Sequence, residues 1–195
     1  MTMSKIIKDD MKKQLKGVYS TGEKSKQVRI HELPDLKYIV TTKYGRYDFR
    51  KLPDFKNIYK CLNRVKHYTA KNLNKNFIIG PTEVECEDRA GDEASIVIMI
   101  CVPDYLDDQL LQHAMMDSIG HVDHSIHLKT IPGGMFAQIL HEGTYDDIIH
   151  TKAKLDKEIM ANGYVSKGTC TEINLAPMFH NNQCKTIIRQ RIETI

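Results

Sequence analysis

The sequence predicts an α+β protein: an antiparallel sheet with helices on one side, built from two β-β-α-β-β units related by a pseudo-two-fold axis. Three observations point there. Residues 33–48 (LPDLKYIVTTKYGRYD) align without a gap on residues 131–146 (IPGGMFAQILHEGTYD), placing Pro34 on Pro132, Gly45 on Gly143, Tyr47 on Tyr145 and Asp48 on Asp146. The offset, 132 − 34 = 98, is half of the 195 residues, as a duplicated and fused unit would give. Each aligned stretch is followed by a helical pattern and then by further strand patterns.

The elements are expected in this order. Residues 4–19 read as a lead-in helix, with Ile7, Met11, Leu15 and Val18 at helical spacing, and TGEKSK (21–26) as a polar linker. In the first unit, strands 27–32 and 37–44 are joined through Leu33-Pro34-Asp35. Pro53 and Asp54 open a helix with Phe55, Ile58, Tyr59, Leu62 and Val65 on one face. Strands 77–86 and 94–102 follow, the second an apolar run (SIVIMICV) suited to the middle of the sheet.

Between the units, Asp104 is expected to cap a short helix carrying Leu106, Leu110, Leu111 and Met115, ended by Ser118 and Gly120. The second unit repeats the pattern: strands 125–131 and 135–142, then a helix from Asp146 or Asp147 carrying Ile149, Ala153 and Met160. Asn162-Gly163 stops that helix, and strands 169–175 and 184–192 complete the unit. The expected boundaries are 1–26 for the lead-in and linker, 27–103 for repeat one, 104–123 for the connecting helix and 124–195 for repeat two.

Composition narrows the function classes. Net charge is +3, from 28 basic and 25 acidic residues with the signs interspersed, so no basic stripe marks a nucleic-acid binder. No apolar run reaches the roughly 18 residues that span a bilayer, and MTMSKIIKDD lacks a signal-peptide core, so a cytoplasmic location is expected. The five cysteines are odd in number and scattered, which points to thiols rather than a disulfide frame or zinc knuckle. His121, His124 and His127 read as a polar connector, and no metal is expected.

The strand TCTEINL carries the chemistry. Alternation puts Thr169, Thr171, Ile173 and Leu175 on one face and Cys170, Glu172 and Asn174 on the other. The Ile173/Leu175 face is expected to pack on the helix, leaving Glu172 on the helix-free side. There it either leans into a cleft between the units or lies on a solvated face. A carboxylate in a cleft needs a partner, because burying an unpaired ion costs several kcal/mol. An organic cation supplies one, and aromatic walls such as Tyr145 and its repeat mate Tyr47 add cation–π attraction. Glu83, Glu85 and Glu87 share a face and are read either as the first unit's counterpart of Glu172 or as a solvated acidic edge.

In the second unit these residues resemble a known family. IPGGMFAQILHEGTYDDI, the helix ending ANGY, CTEINLAP and KTIIRQRI are similar to the GyrI-like small-molecule-binding domain, found also as the effector-binding domain of AraC- and MerR-type regulators. The matching residues are His141, Gly143 and Tyr145, then Asn162-Gly163-Tyr164, then Glu172 and Leu175. The lead-in KKQLKGVYS and the connector ICVPDYLDDQLLQHAM resemble stand-alone members without a DNA-binding part.

The resemblance implies one such domain over 1–195, with a groove between the repeats in which Glu172 meets a cationic or aromatic ligand. Tyr145, Tyr47, Asn174 and Cys170 would line it, with no cofactor and no direct nucleic-acid or membrane contact. Asn174 stands where the family pattern has tyrosine, Pro177 comes one residue early, and the chain has no tryptophan. Two other readings follow from the same resemblance. One is a hydrolase of strained cyclopropane rings in which Glu172 is the catalytic general base. The other is a gyrase-inhibitory type of protein binder, using an acidic face of Glu83, Glu85, Glu87, Asp88 and Asp92.

Overall fold

The computed structural model describes residues 7–19, 27–45, 56–88, 94–175 and 183–195. In chain order these form β1 (Ile7–Asp10), α1 (Met11–Gln14), α2 (Lys16–Tyr19), β2 (Arg29–Leu33), β3 (Leu36–Gly45), α3 (Lys56–Asn72), β4 (Lys75–Ile78), β5 (Thr82–Asp88) and β6 (Ala94–Cys101). Then come α4 (Asp108–Ile119), β7 (Ile126–Ile131), β8 (Gly134–Thr144), α5 (Ile148–Ala161), β9 (Tyr164–Asn174) and β10 (Gln183–Thr194). The fold is α+β, as expected. Among the described residues, no helix is long and apolar enough to cross a membrane.

Eight strands make one antiparallel sheet in the order β2-β8-β10-β9-β5-β6-β3-β7. Exchanging β2 with β7, β3 with β8, β5 with β9 and β6 with β10 reverses this order onto itself. The registers obey the same exchange. Leu33 pairs with Gly134 and His31 with Phe136. At an offset of 98 these become Ile131 with Leu36 and Lys129 with Tyr38, and both pairs are present.

β2 and β3 are consecutive but do not pair with each other; β2 adds to β8, and β7 adds to β3. The link Pro34-Asp35 lacks the left-handed residues of a tight hairpin turn, and proline offers no ladder donor. The sheet curls so that this link meets its counterpart: the Gly133 amide donates to Asp35 Oδ1 at 2.7 Å.

Helices α3 and α4 bury Ile58, Leu62, Leu111 and Met115 against Ile39, Ile100 and Ile126, while α5 sets Leu155 and Ile159 on Ala137, Ile139 and Ile188. These two packings lie on the same face of the sheet. The opposite face is covered at its centre by the lead-in, whose Met11, Val18 and Tyr19 pack on Tyr38, Val40, Met99, Ile173 and Ile187.

Four local expectations are corrected. The lead-in is not one helix: Ile7–Asp10 is a strand parallel to β4, and Asp10 then caps α1 by accepting from the Lys13 amide at 3.2 Å. Strand 77–86 is divided into β4 and β5 around Gly80-Pro81, since proline cannot hold a central ladder. The cap of α4 is Asp107, which accepts from the Leu110 amide at 2.7 Å; its end at Gly120 (φ 82°) is as expected. In α5 the buried stripe is Ile148, Leu155 and Ile159, whereas Ile149 and Met160 are exposed. A 3-10 turn at Tyr145–Asp147 precedes this helix and sets its phase. The expected opening of α3 at Pro53-Asp54 lies outside the described residues.

Candidate functional site

Glu172 sits on β9 opposite Val84 of β5, the innermost pair of the palindromic sheet. Alternation places Glu172 as expected with Cys170 and Asn174, but the helix side is reversed. Ile173 packs under the lead-in, and Glu172 faces α5, where Lys152 Nζ lies 2.7 Å from Oε1. Both faces of this sheet are covered, so an apolar residue on one face does not identify which one carries the long helix.

The carboxylate is only 5% exposed, so its partners decide its cost. Tyr145, just before α5, donates its hydroxyl to Oε2 at 3.1 Å and to Oε1 at 3.4 Å. Lys152 is seven residues after Tyr145, two helical turns, so both project over the same spot. Burial by itself would lower the pKa of the lysine ammonium; the neighbouring carboxylate outweighs that and holds it above the ordinary lysine value. The lysine side chain is 38% exposed, so its stem covers Glu172 while its flank meets solvent.

The strip of sheet between α3 and α5 carries Thr82, Val84, Glu172 and Asn174 on its helix face. Tyr59 of α3 reaches it from the first half, with its hydroxyl 2.8 Å from Thr82 Oγ1. Thr82 faces Asn174, whose Oδ1 accepts from Thr186 at 3.3 Å. Asn174 Nδ2 is buried and has no partner among the described residues. Cys170 is half-buried beside Lys152, and burial pushes its thiol up to about 12 against the pull of that cation. Tyr47 lies outside the described residues. The structure therefore brings together Glu172, Tyr145, Asn174 and Cys170, and adds Lys152, Tyr59 and Thr82, which the sequence reading missed. The spacing of Tyr145 and Lys152 was the available signal for the lysine.

Glu83 and Glu85 are not the counterparts of Glu172, and Glu83 is not on an acidic surface. The register makes Val84 the counterpart, and Glu83 points to the opposite face with no exposed area. There it is bonded to Arg189 Nη2, to Tyr19 Oη at 2.7 Å and to Tyr38 Oη at 3.2 Å. Glu85 accepts from Thr171 Oγ1 at 2.8 Å, and burial raises its pKa. An interaction face that needs Glu83 is thus ruled out. Asp92 lies outside the described residues.

A separate cavity of about 320 Å³ opens along α5 and β8, lined by His141, Glu142, Asp147, His150, Thr151 and Lys154 among others. His141 is locked in its wall, with Nδ1 2.7 Å from Thr151 Oγ1 and Nε2 2.8 Å from the Thr144 carbonyl. Among the described residues, no group of three or more His, Cys, Asp or Glu side chains could hold a metal ion.

Three comparisons place this architecture. An uncharacterized conserved protein from Listeria innocua superposes with a TM-score of 0.79 at 18% identity, over 95% of this chain and 100% of that one. A hydrolase from Listeria innocua gives 0.80 at 18% identity over the same shares. The C-terminal domain of EcmrR gives 0.54 at 14% identity, over 87% of this chain and 99% of that one. At these identities the likeness establishes the fold. No curated protein matches the chain. The family model for the GyrI-like small molecule binding domain matches residues 26–191, and the chain belongs to that family.

Proposed function

We propose that the chain holds an amphipathic, cationic or aromatic small molecule over the strip between α3 and α5, for sequestration or sensing in the cytoplasm. The ligand's positive group takes the place of the Lys152 ammonium on Glu172. One observation carries this reading: a carboxylate 5% exposed at the sheet centre is satisfied by a cation from a side chain that is itself 38% exposed. Such a lysine can swing into water at modest cost, leaving a preformed seat for another cation. Tyr145 and Tyr59 supply aromatic contact, and Tyr47 is proposed as a further aromatic wall, as the repeat mate of Tyr145. Asn174 offers a donor, and Cys170 completes the lining. Affinity on the order of micromolar, about −8 kcal/mol, is expected because expelling Lys152 offsets part of the new ion pair.

The palindromic strand order and matched registers support descent of residues 27–103 and 124–195 from one duplicated unit. Val84 opposite Glu172 makes the floor asymmetric, so a ligand with a single charge binds in one orientation.

A thermal-shift screen of cationic and aromatic compounds on wild type, Glu172→Gln and Lys152→Met tests the proposal. A cation should stabilise wild type, stabilise Lys152→Met at lower concentration, and lose its effect on Glu172→Gln. A hit that stabilises Glu172→Gln as well as wild type removes the carboxylate from the site.

A second reading has one geometric observation in its favour. Tyr145 Oη at 3.1 Å from Glu172 makes a carboxylate–hydroxyl couple suited to general acid–base work, and a similar fold from Listeria innocua is described as a hydrolase. Glu172 would take a proton from water while Tyr145 donates one to the leaving group. Chemical change of a bound ligand, followed by mass spectrometry and abolished in Glu172→Gln, separates turnover from simple holding.

A further inference from the structure

Glu172 and Asn174 are two residues apart on β9, so they share the helix face of the strip, about 6.5–7 Å from each other along the strand. Their polar atoms are held differently. Glu172 is met by Lys152 and Tyr145, whereas the Asn174 amide is engaged at one end only. Its Oδ1 accepts from Thr186, its neighbour on β10, at 3.3 Å. That bond ties the oxygen toward β10, so the amide nitrogen points away from that strand. Nδ2 is buried there and has no partner among the described residues. Thr82, the neighbour on β5, has its own Oγ1 2.8 Å from the Tyr59 hydroxyl of α3.

A buried N–H that has given up water and found no acceptor costs free energy, and folded proteins rarely leave one so. This one lies beside the carboxylate that forms the cation seat, where an acceptor carried by a ligand would complete it. The acceptor has to be neutral, because an anionic oxygen would be repelled by Glu172 at this spacing. The surroundings favour an apolar body. Val84 lies opposite Glu172, and Ile149, one turn before Lys152 on α5, is 64% exposed.

We infer that the ligand is a cation that also carries a neutral hydrogen-bond acceptor, a carbonyl or ether oxygen, about 5–7 Å from its charge, and that Asn174 Nδ2 donates to that oxygen. Asn174 is then a specificity-determining residue. It selects cationic ketones, esters, amides and ethers over cations of the same shape that lack the oxygen, since only the former satisfy the buried donor. The inference rests on the cation seat at Glu172 proposed above and adds a second, neutral contact to it.

The test uses two probes of one shape, phenylbutyl trimethylammonium and its analogue with a carbonyl beside the ring. Calorimetric titration measures their binding to wild type, Asn174→Leu and Glu172→Gln. Wild type should bind the ketone roughly tenfold more tightly than the hydrocarbon cation. Asn174→Leu, similar in size but without the donor, should bind the two alike. Glu172→Gln should weaken both by a similar factor. Equal affinities in wild type overturn the inference, and this readout needs no variant to fold. If both probes also lose their binding in Glu172→Gln, the cation seat stands and only the acceptor contact is removed. A ketone preference unchanged in Asn174→Leu assigns the oxygen to another donor and overturns the inference as well. Binding of both probes that ignores Glu172→Gln overturns the seat itself, and failure of both to bind wild type at millimolar concentration overturns seat and contact together.

Discussion

Val84 and Glu172 face each other on β5 and β9, and the pseudo-symmetry of the sheet passes between them. The β6 partner of Val84 is Ile98, and the β10 partner of Glu172 is Ile188. The two halves thus differ at this rung: the first carries an apolar side chain and the second an acid. Val84 is 1% exposed and Glu172 is 5% exposed, so the rung is dry on both sides.

Restoring the symmetry should therefore be costly. In Val84→Glu two carboxylates share one buried rung with a single lysine, and one of them must take up a proton. Its folded pKa is then raised above the unfolded value of about 4.3. A raised folded pKa means that stability is intact below the unfolded value and lost as pH rises toward the folded one. Denaturant melts should show Val84→Glu weaker than wild type by about 3 kcal/mol or more at pH 8, with the gap narrowing at pH 5.

The Lys152 and Glu172 pair is half in water, and its net worth should be modest. A double-mutant cycle with Lys152→Met and Glu172→Gln is expected to give a coupling of about 1 kcal/mol, since the lysine is 38% exposed and its charge is screened. Lys152→Met alone should cost more than the coupling, because it leaves Glu172 covered without its cation. A coupling near zero would show that the lysine only lies over the acid.

The buried cluster on the opposite face is a different case. Glu83, Arg189, Tyr19 and Tyr38 are all within 5% of complete burial. Removing one charge of this set leaves the other uncompensated, so Glu83→Gln or Arg189→Met should destabilise by about 3–5 kcal/mol. Burial and then the charge of Glu83 push the Tyr19 and Tyr38 hydroxyls well above the ordinary tyrosine value. With the folded pKa above the unfolded value, their contribution is complete below about pH 10 and is lost as pH climbs past it. Thermal melts from pH 8 to pH 11 should fall steeply for wild type and more gently for Tyr19→Phe.

Much of this was legible before any coordinates. Period-two patterns marked the strands, and the gapless alignment of residues 33–48 on 131–146 anticipated the equivalence of β3 with β8. What was not legible depended on partners distant in sequence. Alternation separates Glu172 from Ile173 but cannot say which face meets α5, because the lead-in covers the other. Glu83 looked like part of an acidic edge, since Arg189, which neutralises it, lies 106 residues away. Lys152 is one of several charged residues on its helix, and the carboxylate it meets lies on another element. The exchange of β2 and β7 between halves leaves no mark on either strand's own pattern.

The meeting of the two links offers the sharpest steric test. A Cβ on Gly133 would lie 2.3 Å from the Leu33 carbonyl oxygen, 2.7 Å from Pro34 C and 2.9 Å from Asp35 N. All three are backbone atoms, so no side chain can turn aside, and the links must separate. Separation would break the Gly133 amide bond to Asp35 and loosen Arg191, whose guanidinium donates to the Gly133 and Pro132 carbonyls. Gly133→Ala should lower stability by about 2–4 kcal/mol, beyond the usual cost of a surface change. Asp35→Ala, which removes only the hydrogen bond, should cost about 1 kcal/mol. Equal losses in the two variants would mean that the bond, rather than the close backbone approach, holds the links together.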